Sequence, residues 1–258
     1  MQIIISIAQM NIRFGNLPAN AAKAESMIRE AAAARNSLVV LPELWTSGYD
    51  LSHGKSYILE NRKISVHLQE LALKHHVIVA GSMLTQRGGK LFNSLSVITP
   101  KKIFPAYDKI HLFRLMQETR YLSPGDKTKC IKLPWGKTGL AICYDLRFPE
   151  LFRQYAAQQV KLILLSAEWP RVRTDQWETL IKARAIENQC FVIAANCVGE
   201  TGNEVFGGRS MVIGPDGKVI AAAGERETLL TAELDFDQVD TLRKAFPVLK
   251  DRRPYIFS

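Results

Sequence analysis

Lys137-Thr138-Gly139-Leu140-Ala141-Ile142-Cys143-Tyr144-Asp145-Leu146-Arg147-Phe148-Pro149-Glu150 holds the change of secondary structure on which the fold turns. Residues 139–143 form an apolar run too short for a helix and bounded by turn chemistry, which suits a buried strand. Pro149 suits the first turn of a helix, where its missing N–H costs nothing, and Glu150 suits the positive end of the helix dipole. Residues 151–157 continue with helical spacing. Cys143 therefore falls where a strand turns sharply toward a helix. A thiol there is expected to be partly exposed, near free backbone N–H groups, with a dipole that favours thiolate. The position equally suits a small buried hydrophobe, so this stretch alone leaves nucleophile and packing residue both open.

Working outward, strand-like and helix-like runs alternate. Before this stretch come a strand at 3–8, an Ala-rich helix at 18–34 and a strand at 38–41. An amphipathic helix at 61–74 places Ile64, Leu68, Leu71 and Ala72 on one face. Strands follow at 77–80, ending at Gly81, at 92–98, at 103–106 and, after Ser123-Pro124-Gly125-Asp126, at 130–133. Beyond the stretch lie a strand at 162–166, a helix at 175–188 and a strand at 191–196. A hairpin joins 209–213 to 218–223 across Gly214-Pro215-Asp216-Gly217; a strand at 227–234, a helix at 236–246 and an irregular tail at 247–258 complete the chain. No Gly/Ser/Pro linker intervenes, which predicts one domain over 1–258. Both halves read β-α-β-α-β-β, and runs such as 162–165 need cover on both faces. An α/β fold of four layers, α-β-β-α, with two mixed sheets packed together beneath outer helices, supplies it.

The 258 residues are 47% hydrophobic and 23% charged, the balance of a soluble globular protein. No apolar run is long enough to span a bilayer, and no basic leader precedes the first strand, which predicts a cytoplasmic protein. The four cysteines show neither C-x-x-C spacing nor scaffold density, and the five histidines are scattered. No disulfide framework, metal or cofactor is expected. The net charge of +9 comes from Lys and Arg spread along the chain, the longest clusters being Lys101-Lys102 and Arg252-Arg253. That pattern suits a solvated surface or anionic small substrates, and predicts neither a nucleic-acid nor a membrane partner.

Three further stretches place a charged or bulky polar group among apolar neighbours. Leu38-Val39-Val40-Leu41-Pro42-Glu43 sets a carboxylate at a strand's C-terminal end, where open α/β sheets carry their sites. Ala106-Tyr107-Asp108-Lys109-Ile110-His111-Leu112-Phe113 embeds a lysine, and Leu162-Ile163-Leu164-Leu165-Ser166-Ala167-Glu168-Trp169-Pro170 sets Trp169 beyond a fourth strand. Singly, Glu43, Lys109 and Trp169 suit surface or packing roles; together with Cys143 they resemble the nitrilase, or carbon–nitrogen hydrolase, superfamily. The similarity rests on Leu41-Pro42-Glu43-Leu44, Tyr107-Asp108-Lys109-Ile110-His111-Leu112-Phe113 and Cys143-Tyr144-Asp145-Leu146-Arg147-Phe148-Pro149-Glu150, in that order, and runs from the first strand to about residue 250. The resemblance implies the same sandwich, paired into a homodimer or higher homo-oligomer through outer helices and the 247–258 tail. It implies a catalytic triad of Glu43, Lys109 and Cys143, with Glu118 as a second active-site glutamate.

That chemistry needs these residue types. An amide is a poor electrophile, so a thiolate should attack it, and Glu43 is the base that generates one. The ammonium of Lys109 and the backbone N–H of Tyr144 are the expected donors to the oxyanion. Two carboxylates beside one lysine should raise one carboxyl's pKa. Arg147 is expected to hold the turn through a buried ion pair rather than to touch substrate. Asp145 and Glu150 are expected to be structural, and Arg184 should pair with Glu187. Tyr49 and Trp169 are candidates to close the substrate pocket or merely to pack.

Within the superfamily, Leu44-Trp45-Thr46-Ser47-Gly48-Tyr49 and Ser166-Ala167-Glu168-Trp169-Pro170 are most similar to the omega-amidase branch. This implies hydrolysis of the terminal amide of 2-oxoglutaramate or 2-oxosuccinamate through a thioester on Cys143. Such an anionic substrate would suit Arg171 or Arg173 as a bidentate partner, unless both point to solvent. The alternatives are an N-carbamoyl hydrolase, a deaminated-glutathione amidase, a nitrilase, or a catalytically silent scaffold on the same fold.

Overall fold

The computed structural model describes residues 1–201 and 204–253. Alternation along Leu38-Val39-Val40-Leu41 shows how the layers arise. Leu38 and Val40 join a core that also holds Ile142, Leu164 and Ile193, whereas Val39 and Leu41 join a second core with Ile28, Leu68 and Leu71. A strand with both faces apolar is thus covered by a sheet on one side and by helices on the other.

The first half contains β1 (Gln2–Gln9), α1 (Leu17–Ala33), β2 (Leu38–Val40), α2 (Ile58–His75), β3 (Ile78–Arg87), β4 (Lys90–Ile98), β5 (Tyr107–Asp108) and the single-turn α3 (Glu118–Tyr121). The second contains β6 (Cys130–Leu133), β7 (Gly136–Ile142), α4 (Pro149–Ala157), β8 (Leu162–Ser166), α5 (Thr174–Asn188) and β9 (Phe191–Ala195). Then come β10 (Val198–Thr201), β11 (Glu204–Gly207), β12 (Met211–Ile213), β13 (Val219–Ala222), β14 (Thr228–Asp235) and α6 (Asp237–Ala245). One six-stranded sheet has the order β14-β1-β2-β3-β4-β5 and the other β13-β12-β9-β8-β7-β6. In each, three central strands run parallel, β1-β2-β3 and β7-β8-β9, and antiparallel strands flank them. The sheets pack with β1 across β9, β3 across β8 and β4 across β7. The expected α-β-β-α layering is present.

Some boundaries differ from the expectation. The strand expected to stop at Gly81 continues to Arg87, paired throughout with β4. Gly81 is there because a Cβ would meet that of Leu41 at 2.8 Å; it marks a close approach, not an end. The strand expected at 103–106 reduces to a bridge from Ile103 to Ile98, with the paired residues falling at Tyr107–Asp108. The short α3 and the β10–β11 pair carry no periodic signal and were not anticipated. The final strand, β14, returns to the first sheet and pairs with β1 from Gln2↔Asp235 to Gln9↔Thr228. Of the expected tail, 254–258 lie outside the described residues. Among the described residues no helix is long and apolar enough to cross a membrane.

Gly139 in β7 is a second close approach, since a Cβ there would lie 2.7 Å from the Tyr155 ring of α4. Overpacking at such a site costs about 1–3 kcal/mol. Gly139→Ala is expected to lower the unfolding free energy by that amount, seen as a lower urea midpoint at unchanged slope; an unchanged midpoint would show that the α4–β7 contact yields freely.

Candidate active site

The C-terminal ends of β2 and β8 are tied together where the two sheets meet. Ser166 Oγ donates to the Leu41 carbonyl at 2.8 Å, and the N–H of Glu43 donates to the Ala167 carbonyl at 3.3 Å. Lys109 follows β5 and is held in extended register, its N–H donating to Asn93 O at 2.9 Å and its carbonyl accepting from Gly125 N at 2.8 Å. Glu118 opens α3, where the N–H of Phe113 donates to its Oε2 at 2.5 Å. Elements distant in the chain thus deliver three charged side chains to one interior point, all with no exposed surface.

There the ammonium of Lys109 donates to Glu43 Oε1 and Glu118 Oε1, both at 2.7 Å. The Tyr49 hydroxyl lies 2.9 Å from Glu118 Oε1 and 3.1 Å from Glu43 Oε1 and donates to one at a time. Glu43 also accepts from Asn93 Nδ2 at 2.7 Å on Oε1 and from the N–H of Glu168 at 3.0 Å on Oε2. Burial alone would push Lys109 down in pKa, but Glu118 and then Glu43 outweigh it and hold the ammonium charged. Burial pushes Glu118 up; Lys109 pulls it back and Glu43 raises it again. Burial, with both carboxylates adding, also keeps the Tyr49 hydroxyl protonated.

Cys143 adopts a positive φ of 44° at the end of β7. The strain is confined by a short 3₁₀ turn, Cys143–Arg147, whose Asp145 is fully buried. Asp145 accepts from the N–H of Ile142 at 2.9 Å, the Tyr107 hydroxyl at 2.7 Å and the N–H of His111 at 3.0 Å. Arg184 of α5 caps the turn from below, donating twice to the Leu146 carbonyl at 2.7 and 3.0 Å, and pairs with Glu187 at 3.0 Å as expected. Two expectations fail here. Cys143 is buried, not partly exposed, and burial followed by the Glu43 carboxylate raises its thiol pKa far above the ordinary value. Arg147 forms no buried ion pair among the described residues: it is half-buried, donates to Gln176 at 2.6 Å and lies 4.8 Å over the Trp169 ring.

The remaining expected residues lie in the turn after β7 and in the segment after β8. Tyr144 is half-buried beside Phe113 and Phe148, at ring distances of 4.8 and 5.3 Å. Trp169 is buried, with its Nε1 donating to the Arg173 carbonyl at 2.9 Å. Arg173 is half-buried with its guanidinium 5.8 Å from the Phe113 ring. Arg171 is exposed and lies against Gly207 of β11, so the structure does not bring it to the others. Two residues escaped the sequence reading. Asn93 is a mid-strand asparagine, unusual enough to have been a signal. Glu168 is a carboxylate beyond an apolar strand, the same signal that singled out Glu43. Among the described residues no cluster of His, Cys, Asp and Glu could hold a metal ion.

Residues 4–244 match the carbon-nitrogen hydrolase family. The chain belongs to that family. It is 39% identical to the 2-oxoglutaramate amidase of Bacillus subtilis over the full length of both, and 34% identical to omega-amidase NIT2 of Danio rerio over 93% of this chain and 91% of that one. The crystal structure of XC1258 from Xanthomonas campestris, a CN-hydrolase superfamily protein with an arsenic adduct in its active site, superposes with a TM-score of 0.92. Its sequence identity is 29%, over 98% of each chain. The chain is thus a hydrolase of carbon–nitrogen bonds built on the family's two-sheet fold.

The electrostatics make a specific demand on Cys143. After burial, Glu43 is the charge that most opposes its thiolate, and Lys109 is the charge favouring it. Glu43→Gln is therefore expected to move the pH midpoint of Cys143 alkylation, followed by mass spectrometry, downward. An unchanged or raised midpoint would mean that burial alone sets the thiol's pKa.

Proposed function

We propose that this hydrolase is an omega-amidase that releases ammonia from the terminal amide of 2-oxoglutaramate or 2-oxosuccinamate. The observation that carries the reading is the Lys109 ammonium held between Glu43 and Glu118 beside Cys143, in a chain 39% identical to a 2-oxoglutaramate amidase. Cys143 rests as a thiol. Glu43 takes its proton as Sγ bonds to the amide carbon, and the carbonyl oxygen becomes an oxyanion facing Lys109 and the Tyr144 N–H. Collapse breaks the C–N bond, and the proton returns from Glu43 to the departing nitrogen, giving ammonia and a thioester. Glu43 then takes a proton from water, whose oxygen attacks the thioester; collapse breaks the C–S bond, Glu43 returns its proton to Sγ, and the carboxylic acid leaves and ionises in solvent. Glu118 keeps Lys109 cationic and in place while Glu43 alternates between its two forms.

The distal carboxylate of the substrate is assigned to Arg147 and Arg173. Both are half-buried beside aromatic rings that line the approach, and Arg147 has no carboxylate partner among the described residues. Tyr49 shapes the inner pocket with its ring, since its hydroxyl is occupied by the two glutamates. The protein is further proposed to act in the cytoplasm as one domain paired into homodimers, which light scattering tests.

Cys143→Ala is expected to abolish ammonia release while keeping the melting temperature, because a small residue fits the end of β7. Turnover at the wild-type rate would remove Cys143 as nucleophile. A panel of 2-oxo-acid amides, N-carbamoyl compounds and nitriles separates this reading from its relatives, since carbamoyl substrates also give carbon dioxide.

The carboxylate assignment has its own test. Arg147→Ala or Arg173→Ala should lower kcat/KM for 2-oxoglutaramate about ten- to hundredfold, the worth of a charge-assisted contact, and barely affect an uncharged amide of equal length. Equal losses on both substrates would mean the loop was damaged and the assignment wrong.

A further inference from the structure

Glu168 follows β8, and its main chain is fastened to the site on both sides. Its N–H donates to Glu43 Oε2 at 3.0 Å, and its carbonyl faces Cys143 Sγ at 3.8 Å. The next N–H, of Trp169, donates to Asn196 Oδ1 at 2.7 Å. The side chain is 1% exposed, yet neither carboxyl oxygen has a hydrogen-bond partner among the described residues. A buried polar group left open in this way calls for a partner that the chain itself does not supply. The titratable groups facing it are Glu43 and Tyr49 from the segment after β2, Lys109 after β5, Glu118 of α3 and Cys197 after β9, with the Cys143 thiol against its own carbonyl. Burial and then Glu43 drive its pKa far up against the pull of Lys109, and Glu118 adds to the rise. The side chain is therefore a neutral acid with one donor and one acceptor unfilled.

We propose that Glu168 is a substrate-binding residue whose carboxyl hydrogen-bonds the amide that Cys143 attacks. The proposal rests on the amidase reading and deepens it. An O–H donor beside a C=O acceptor complements the C=O and N–H of a primary amide. A nitrile offers no N–H to the same pair. The contact thus selects amides over nitriles at a position set by the Glu43 and Cys143 anchors.

The test compares wild type with Glu168→Met and Glu168→Gln on 2-oxoglutaramate, from neutral to strongly alkaline pH. Glu168→Met should lower kcat/KM about ten- to hundredfold, the worth of the lost hydrogen bonds, without lowering the melting temperature. Glu168→Gln, which keeps a donor and an acceptor, should rescue most of that loss. Only the protonated form binds, so wild-type kcat/KM should fall as pH rises through the elevated pKa; the Gln variant, which cannot ionise there, should lack that fall. Wild-type kcat/KM in the Met variant, an identical alkaline fall in the Gln variant, or a melting temperature lost along with activity would each overturn the proposal. Cys143 alkylation provides an arm independent of the substrate. Glu168→Met should slow iodoacetamide, which carries a primary amide, but not methyl methanethiosulfonate, which carries none. If wild type releases no ammonia from 2-oxoglutaramate, the substrate reading fails, while selective slowing still supports the Glu168 contact. Equal slowing of both reagents, or of neither, overturns it.

Discussion

A lysine ammonium buried in the interior of a protein is stable only if opposite charge meets it at contact distance, and Lys109 meets two carboxylates. Desolvating three charged groups is costly, and removing one partner from such a cluster typically costs about 3–5 kcal/mol. The surrounding structure is arranged so that none is left alone: Asn93, Tyr49 and the N–H groups of Phe113 and Glu168 fill the remaining lone pairs of the two glutamates. Rigidity follows, because Asn93 donates from within β4 and the other donors come from segments that follow strands.

Two sheets are needed to build this cluster. Glu43 leaves β2 of one sheet and Cys143 leaves β7 of the other, and the Ser166–Leu41 and Glu43–Ala167 hydrogen bonds fix the spacing between them. The parallel strands at the centre of each sheet direct their C-terminal ends to the same side, so residues from opposite halves of the chain converge there. The strained Cys143 backbone persists because Asp145 and Arg184 satisfy the turn from two directions.

The alternation of strands and helices and the four layers were legible in the chain as local properties, whereas Glu43, Lys109 and Cys143 stood out only in combination, through the family resemblance, and Glu118 through that resemblance alone. An apolar run ending in a carboxylate, a lysine among aromatics, or a cysteine between strand and proline is visible without knowing what lies opposite. Boundaries were less legible. Gly81 read as a stop, and only the Leu41 side chain above it explains why a strand passes through a glycine.

What the sequence by itself determined is therefore the fold class, since periodicity and residue type suffice for it; the site residues were named by the family resemblance. Protonation and orientation were decided by tertiary structure alone. Cys143 was expected to be a partly exposed thiolate; burial beside Glu43 makes it a thiol. Arg147 was expected to be an internal brace, but Asp145 and Arg184 hold the turn and leave it over the Trp169 ring. Glu168 drew no comment beside Trp169, although the fold buries it with both oxygens open. Charge state depends on the distance to every neighbouring charge and on the loss of water, and those quantities exist only once the two sheets have closed on one another.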